Sequence, residues 1–172
     1  MLIDIMLVKF ARDSDTRERG TTDMQIYLLR HGIAEDARPG QPDAERALTG
    51  EGREKLRRVL KRARTAELDP SVILSSPYRR ALETAAVAAD VLGYKSEVVR
   101  IQALTPEASP FDTWVEIRDR KDERSILLAS HEPLISSLAP FLLDSPSLLE
   151  DMNKVALVRI DCERVGSKPR GI

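Results

Sequence analysis

The strongest constraint on the fold is a regular alternation between short apolar runs and longer segments with helical periodicity. Apolar residues dominate four runs of strand length, at 25–30, 71–76, 125–130 and 154–161, and a weaker run lies at 96–101. Strands that are apolar on both sides need cover on both faces, which a parallel sheet receives from the helices that connect its strands. The alternation therefore predicts an α/β fold: one three-layer α/β/α domain with a mostly parallel sheet and helices on both faces.

Between these runs, apolar residues recur at the spacing of one helical face. The predicted helices span 49–64, 77–93, 110–120 and 132–143. Thr49 is a suitable cap for the first helix, and Gly93 is a suitable end for the second. A chain of 172 residues is long enough for one such domain to bury a core.

The two ends of the chain differ from this pattern. Residues 1–23 end in the polar, mixed-charge stretch "RDSDTRERGTTD", which predicts a flexible extension. Met24 directly precedes the first clear strand, so a wrongly assigned start codon is an equally simple explanation. The domain is predicted to cover 24–162, and residues 163–172 are predicted to form a tail.

Charge and composition limit the classes of partner. The chain has 27 basic and 28 acidic side chains, so no net charge favours nucleic acid or a membrane surface. No apolar run approaches the roughly 20 residues of a membrane span, and the N-terminus is a poor signal peptide. Cys162 is the single cysteine, which excludes an internal disulfide. We therefore expect a cytoplasmic protein; the sequence does not indicate its oligomeric state.

Three predicted junctions from strand to helix carry the chemically informative residues. Arg30 and His31 lie in "LLRHG", Arg79 and Arg80 in "LSSPYRRA", and His131 in "LLASHEP". These are the chain's only two histidines, and both follow a predicted strand. Ligands of open α/β sheets bind at the carboxyl ends of the strands. We therefore expect these side chains to meet in one site.

This set of residues suits the chemistry of a phosphoryl group. Two arginines can bind phosphoryl oxygens with bidentate, charge-assisted hydrogen bonds. An imidazole can act as a nucleophile and form a covalent phospho-intermediate. Neighbouring arginines are expected to lower the pKa of such a histidine and so keep the ring neutral. A bound phosphate would explain why Arg30 and His31 follow an apolar strand.

The same segments resemble motifs of the histidine phosphatase (phosphoglycerate mutase-like) superfamily. "LLRHG" is similar to its Arg-His-Gly signature, and "SSPYRRALETA" to its Ser-Pro-x-x-Arg-Ala-x-x-Thr segment. "ASHEP" is similar to the strand end that carries its second histidine, and "RALTGEG" follows the first motif in the same order. The short chain, the "LTPEASP" segment and the compact intervals most resemble SixA-type phosphohistidine phosphatases, over residues 24–161.

The resemblance implies a phosphatase that needs neither a metal nor another cofactor. His31 would attack phosphorus and become phosphorylated. Arg30 and Arg80 would bind the phosphoryl oxygens, and His131 would donate a hydrogen bond to the phosphoryl group. Backbone amides near Glu132, at the start of a helix, would stabilise the anion further. Water would then hydrolyse the phosphoenzyme.

Each of these residues also has a purely structural interpretation. His31 could be a hydrogen-bonded loop histidine, and His131 could cap a helix. Arg30 could pair with Glu35 or Asp36. Outside this set, Arg79 precedes Glu83 by four residues, which favours a solvated pair on one helix. The basic segment "REKLRRVLKRAR" could dock an acidic partner, although a charged helical face is more often simply solvated.

The family's mutases and broad phosphatases use a carboxylic acid to protonate the leaving group. Glu107 in "LTPEASP" is the candidate for that acid, although it could equally be a surface loop residue. The SixA-type members generally lack such an acid. An imidazole leaving group protonates near neutral pH, so cleavage of phosphohistidine needs less acid assistance than cleavage of a monoester.

Three functions remain open on the sequence. The first is dephosphorylation of phosphohistidine on a partner protein, which the short intervals between motifs favour because they leave little chain for a lid. The second is hydrolysis of small phosphate monoesters, which usually requires a surrounding cavity. The third is phosphate binding without catalysis, which would not need a nucleophile.

Overall fold

The described part of the chain contains one mixed sheet and four α-helices. The structure, a computed structural model, describes residues 5–6, 24–144 and 152–162. The predicted tail at 163–172 lies outside these residues, as does the predicted extension at 1–23 apart from 5–6.

The strands are β1 (Ile5–Met6), β2 (Met24–Arg30), β3 (Val72–Ser75), β4 (Val99–Arg100), β5 (Ser125–Ser130) and β6 (Leu157–Cys162). The helices are α1 (Gly50–Thr65), α2 (Arg79–Leu92), α3 (Pro110–Arg118) and α4 (Leu134–Leu142). Two short 3₁₀ helices lie at Asp43–Glu45 and Gln102–Leu104.

The sheet has the strand order β1-β6-β2-β5-β3-β4. Strands β2, β5, β3 and β4 pair in parallel, while β6 pairs antiparallel to β2 and parallel to β1. The prediction of an α/β fold with a mostly parallel sheet is confirmed.

Alternate residues of the central strands enter two separate cores. Tyr27 and Leu29 of β2 pack with α1 and α2 on one face, whereas Ile26 and Leu28 pack with α3 and α4 on the other. All four of these side chains are buried. This double burial is the reason that β2 is apolar without alternation.

Several element boundaries differ from the predicted ones. The helix α2 begins at Arg79 rather than Pro77, because Tyr78 is extended at its N-cap. The last strand begins at Leu157 rather than Lys154, because Val155 has a positive φ of 71° that interrupts an extended backbone. The weak strand at 96–101 shortens to Val99–Arg100 at the edge of the sheet, where both residues are exposed. Thr49 caps α1 as predicted, accepting a hydrogen bond from Gly52 N.

Candidate active site

The candidate site lies at the carboxyl ends of β2, β3 and β5. The register pairs Arg30 with Ser130 and Ser75 with Ala129, so the residues that follow each strand meet at one edge of the sheet. His31 follows β2, Ser76 follows β3 and His131 follows β5. The rings of the two histidines lie 5.0 Å apart between centroids.

His31 is held in one tautomer by its two ring nitrogens. Nδ1 lies 2.7 Å from the carbonyl oxygen of Gly32, which can only accept a hydrogen bond, so Nδ1 carries the proton. Nε2 accepts a hydrogen bond from Arg80 Nε at 3.3 Å. The lone pair of Nε2 therefore faces the guanidinium of Arg80.

Arg80 is buried, and its three nitrogens contact two different groups. Beyond His31, its Nη1 donates to the backbone carbonyl of Asp43 at 2.7 Å, and its Nη2 donates to Asp43 Oδ2 at 2.8 Å. The side chain of Arg80 is 7% exposed, whereas that of Asp43 is 54% exposed. A buried guanidinium thus faces an exposed carboxylate across the rim of the site.

Arg30 lies at the end of β2 and donates a hydrogen bond to the carbonyl oxygen of Met152. Its Nε is buried and has no hydrogen-bond partner among the described residues, and the same holds for Nδ1 of His131. Buried polar atoms of this kind are normally hydrogen-bonded. Two such atoms at one strand edge fit a site that receives a polar ligand.

His131 is almost fully buried, and two residues fix its ring. Its Nε2 lies 2.8 Å from Ser76 Oγ, which also accepts a hydrogen bond from Tyr78 N at 3.3 Å. The Tyr78 ring packs edge-on against His131 at 5.1 Å between centroids. On its other side the Tyr78 ring faces the guanidinium carbon of Arg80, also at 5.1 Å. Tyr78 therefore forms a wall that joins the second histidine to the arginine.

Burial and positive charge keep both histidines neutral at neutral pH. Burial lowers the pKa of His31 to about 4; the hydrogen bond to Gly32 opposes this shift, and the charges of Arg80 and Arg30 add to it. Burial, followed by the neighbouring His31 and Arg80, lowers the pKa of His131 to about 2. A neutral His31 with its proton on Nδ1 is the form that can act as a nucleophile through Nε2.

Close backbone contacts hold the turn that carries His31. Gly32 N donates to Thr84 Oγ1 of α2 at 3.2 Å. A Cβ on Gly52, in the first turn of α1, would lie 2.3 Å from the carbonyl oxygen of Ile33. The glycines of "RHG" and "TGEG" therefore let the turn and α1 approach each other without side chains between them.

Two other predicted residues lie beside these groups. Glu107 is exposed and accepts a hydrogen bond from the Tyr78 hydroxyl, at 3.3 and 3.4 Å from its two oxygens. Glu132 follows His131, but α4 begins two residues later at Leu134, so its amide precedes the helix. One carboxylate oxygen of Glu132 is buried without a partner among the described residues.

The structural alternatives have different outcomes. Arg79 pairs with Glu83 at 3.0 Å across one turn of α2, as predicted for a solvated pair. Glu35, one predicted partner of Arg30, instead lies 3.6 Å from Arg38.

Sequence reasoning missed Asp43, Ser76 and Tyr78. Ser76 and Tyr78 lie inside the quoted "SSPYRRALETA" segment, so their positions were available although their contacts were not. Asp43 lies in the loop between β2 and α1, where no periodicity or motif marks it.

The described residues contain no group of three or more His, Cys, Asp or Glu side chains arranged to hold a metal ion. None of the helices in the same part of the chain is long and apolar enough to cross a membrane.

Comparison with known proteins connects this geometry to a family. The family model of the histidine phosphatase superfamily (branch 1) matches residues 26–105. An uncharacterized protein of Picosynechococcus sp. is 34% identical over 113 residues, which cover 64% of this chain and 67% of that protein. Phosphohistidine phosphatase SixA of Escherichia coli is 27% identical over 117 residues, covering 67% of this chain and 71% of SixA. A structure of the protein histidine phosphatase SixA complexed with tungstate aligns with a TM-score of 0.76 at 24% identity, covering 87% of this chain and 93% of that chain.

Proposed function

The chain belongs to the histidine phosphatase superfamily and is a phosphatase, and from this premise we propose that it cleaves phosphohistidine on a partner protein through a covalent intermediate on His31. The observation that carries the proposal is the tautomer of His31. Its Nδ1–H is bound to Gly32 O, so the free electron pair is on Nε2, beside Arg80.

The proposed reaction has two displacements at phosphorus. In the first, the lone pair of His31 Nε2 forms the N–P bond while the bond from phosphorus to the leaving nitrogen breaks, and the leaving imidazole keeps that electron pair. In the second, water attacks phosphorus, the N–P bond to His31 breaks, and inorganic phosphate leaves. Both nitrogens of the His31 ring are accounted for, because Nδ1–H stays bonded to Gly32 O throughout.

Three further side chains are assigned to the phosphoryl oxygens. Arg30 and Arg80 supply positive charge where negative charge accumulates, which is the main demand of phosphoryl transfer. His131 is assigned a hydrogen bond to the phosphoryl group, because its Nδ1 has no partner among the described residues. The amide of Glu132 is kept as a further donor, although it precedes α4 rather than belonging to its first turn.

The choice of phosphohistidine as substrate rests on the carboxylates near the site. Oδ1 of Asp43 is bound by Arg46 and Oδ2 by Arg80, both at 2.8 Å, so neither oxygen is available to carry a proton. The hydrogen bond from Arg46, followed by the contacts of Arg80, lowers the pKa of Asp43 against its partial burial. An ionised Asp43 cannot protonate an alkoxide, whereas an imidazole leaving group does not require such an acid.

Hydrolysis of a small phosphate monoester is the second candidate, and the contact between Tyr78 and Glu107 favours it. The Tyr78 ring borders His131 and Arg80, and its hydroxyl donates to Glu107. Glu107 therefore lies at the border of the site, where a general acid would be needed for a monoester. Glu107→Gln separates the two candidates, with Glu97→Gln as the control at another exposed glutamate.

The test compares phosphate release from a histidine-phosphorylated protein with release from p-nitrophenyl phosphate. We expect the wild type to prefer the phosphorylated protein, and we expect Glu107→Gln to leave that activity unchanged. A preference for p-nitrophenyl phosphate that Glu107→Gln abolishes, and Glu97→Gln does not, would instead support the monoester.

A further inference from the structure

The contact between Asp43 and Arg80 is not explained by the reaction. Arg80 is assigned to the phosphoryl oxygens, yet its Nη2 is bound to Asp43 Oδ2 and its Nε is bound to the nucleophile His31. A phosphoryl group can use these two donors only if both contacts are exchanged.

We propose that Asp43 is a positioning residue whose carboxylate holds Arg80 in the absence of substrate, and that an incoming phosphoryl group displaces this carboxylate from Arg80. The proposal rests on the assignment of Arg80 to the phosphoryl site.

The burial of Arg80 explains why it needs a resident anion. A guanidinium that is 7% exposed would be costly without a partner, because desolvated charge must be compensated. Asp43 supplies that compensation from the rim, where its own side chain remains 54% exposed. An exposed carboxylate can be rehydrated when it leaves Arg80, so the exchange costs little on the side of Asp43.

The two oxygens of Asp43 have separate partners, which makes its release from Arg80 possible. Oδ1 is bound by Arg46, and Arg46 is itself fixed by a hydrogen bond from its Nε to the carbonyl oxygen of Glu35 at 2.8 Å. Rotation of the carboxylate away from Arg80 therefore leaves Asp43 with an ion pair. The backbone carbonyl of Asp43 also continues to hold Arg80 Nη1 at 2.7 Å, which keeps the guanidinium near the site.

The exchange also controls the nucleophile. While Arg80 Nε donates to His31 Nε2, the lone pair that must attack phosphorus is occupied. A phosphoryl group that accepts from Arg80 Nε and Nη2 would free this lone pair at the moment when phosphorus arrives. A phosphoryl dianion carries more charge than a carboxylate, and it can accept two parallel hydrogen bonds from the guanidinium.

Calorimetric titration with inorganic phosphate tests the exchange. Asp43→Asn and Asp43→Ala remove the competing carboxylate, so we expect phosphate to bind about threefold to tenfold more tightly. Glu45→Gln is the matched control: it removes one negative charge from the same 3₁₀ helix at an exposed side chain, and it should leave the affinity unchanged. A residue that merely keeps Arg80 in place would give the opposite sign, because its loss would weaken binding.

The same titration in an Arg80→Gln background shows whether the effect passes through Arg80. There, Asp43→Asn should no longer tighten binding. Tightening that persists without Arg80, or weaker or unchanged binding in both Asp43 variants, would overturn the exchange. If the wild type binds phosphate no better than Arg80→Gln, the phosphoryl site itself is assigned wrongly, which is a separate failure.

Discussion

Two arginine–aspartate pairs at opposite ends of the sheet differ in burial far more than in distance. At the carboxyl end, Arg80 and Asp43 are 2.8 Å apart, and the arginine side chain is 7% exposed. At the amino end, Arg124 and Asp69 are 3.1 Å apart, and their side chains are 69% and 77% exposed. The second pair borders an open cleft of about 580 Å³.

The difference separates a charge that water can compensate from one that water cannot reach. An exposed pair contributes on the order of 1 kcal/mol or less, and losing it leaves both groups hydrated. A buried guanidinium depends on the anion beside it. At the carboxyl end the described structure places Arg80 beside a neutral histidine, an arrangement that favours binding of a further anion.

Arg80→Gln should have the largest effect, because it removes the buried charge of this comparison. Loss of a charged donor from the phosphoryl site is expected to lower kcat/KM for phosphoramidate about 10²- to 10³-fold. Arg79→Gln, at the adjacent and exposed residue that pairs with Glu83, should keep nearly wild-type activity. Equal losses in the two variants would show that burial of the arginine does not mark the functional charge.

Gly52→Ala tests the backbone contact that supports the same end of the sheet. The new Cβ would lie 2.3 Å from Ile33 O, so we expect a loss of about 1–3 kcal/mol in the free energy of unfolding, measured by urea denaturation. Gly50→Ala, two residues earlier in the same helix, has no atom within 4 Å of its Cβ and should change the stability little. A stable Gly52→Ala protein would refute this close approach between α1 and the turn after His31.

The buried histidine should make stability depend on pH. Because burial lowers the pKa of His31 to about 4 in the folded state, the unfolded chain takes up its proton first as the pH falls below about 6.5. The stabilisation is therefore complete above about pH 6.5 and is lost as the pH falls towards 4. Relative to His31→Asn, the wild type should lose about 1–2 kcal/mol more of its unfolding free energy between pH 7 and pH 5. Parallel pH profiles would mean that His31 is hydrated.

Asp69→Asn should have the smallest effect. It breaks the exposed pair at the amino end, so we expect a change of less than about 0.5 kcal/mol in unfolding free energy and no change in phosphatase activity. A larger loss of stability, measured by the same urea denaturation, would place unexpected importance on the amino end.

The sequence predicted the fold and the meeting of the strand ends, because both follow from apolar periodicity and chain order. His31 and His131 are brought together by strand register, which parallel strands impose wherever buried faces must align. The sequence could not predict Asp43, because an exposed loop carboxylate has no periodic signal and finds Arg80 only through tertiary structure. The short β4 and the late start of β6 were missed for a similar reason, since edge position and the positive φ of Val155 are properties of the folded backbone.

The most direct test of covalent catalysis by His31 is intact-mass spectrometry after brief mixing with phosphoramidate. We expect the wild type to gain one acid-labile phosphoryl group transiently, and we expect His31→Ala to gain none while still binding inorganic phosphate. A label that persists in His31→Ala would assign the nucleophile to another residue. If neither protein is labelled and neither releases phosphate, the site binds phosphate without catalysis and the central claim is wrong.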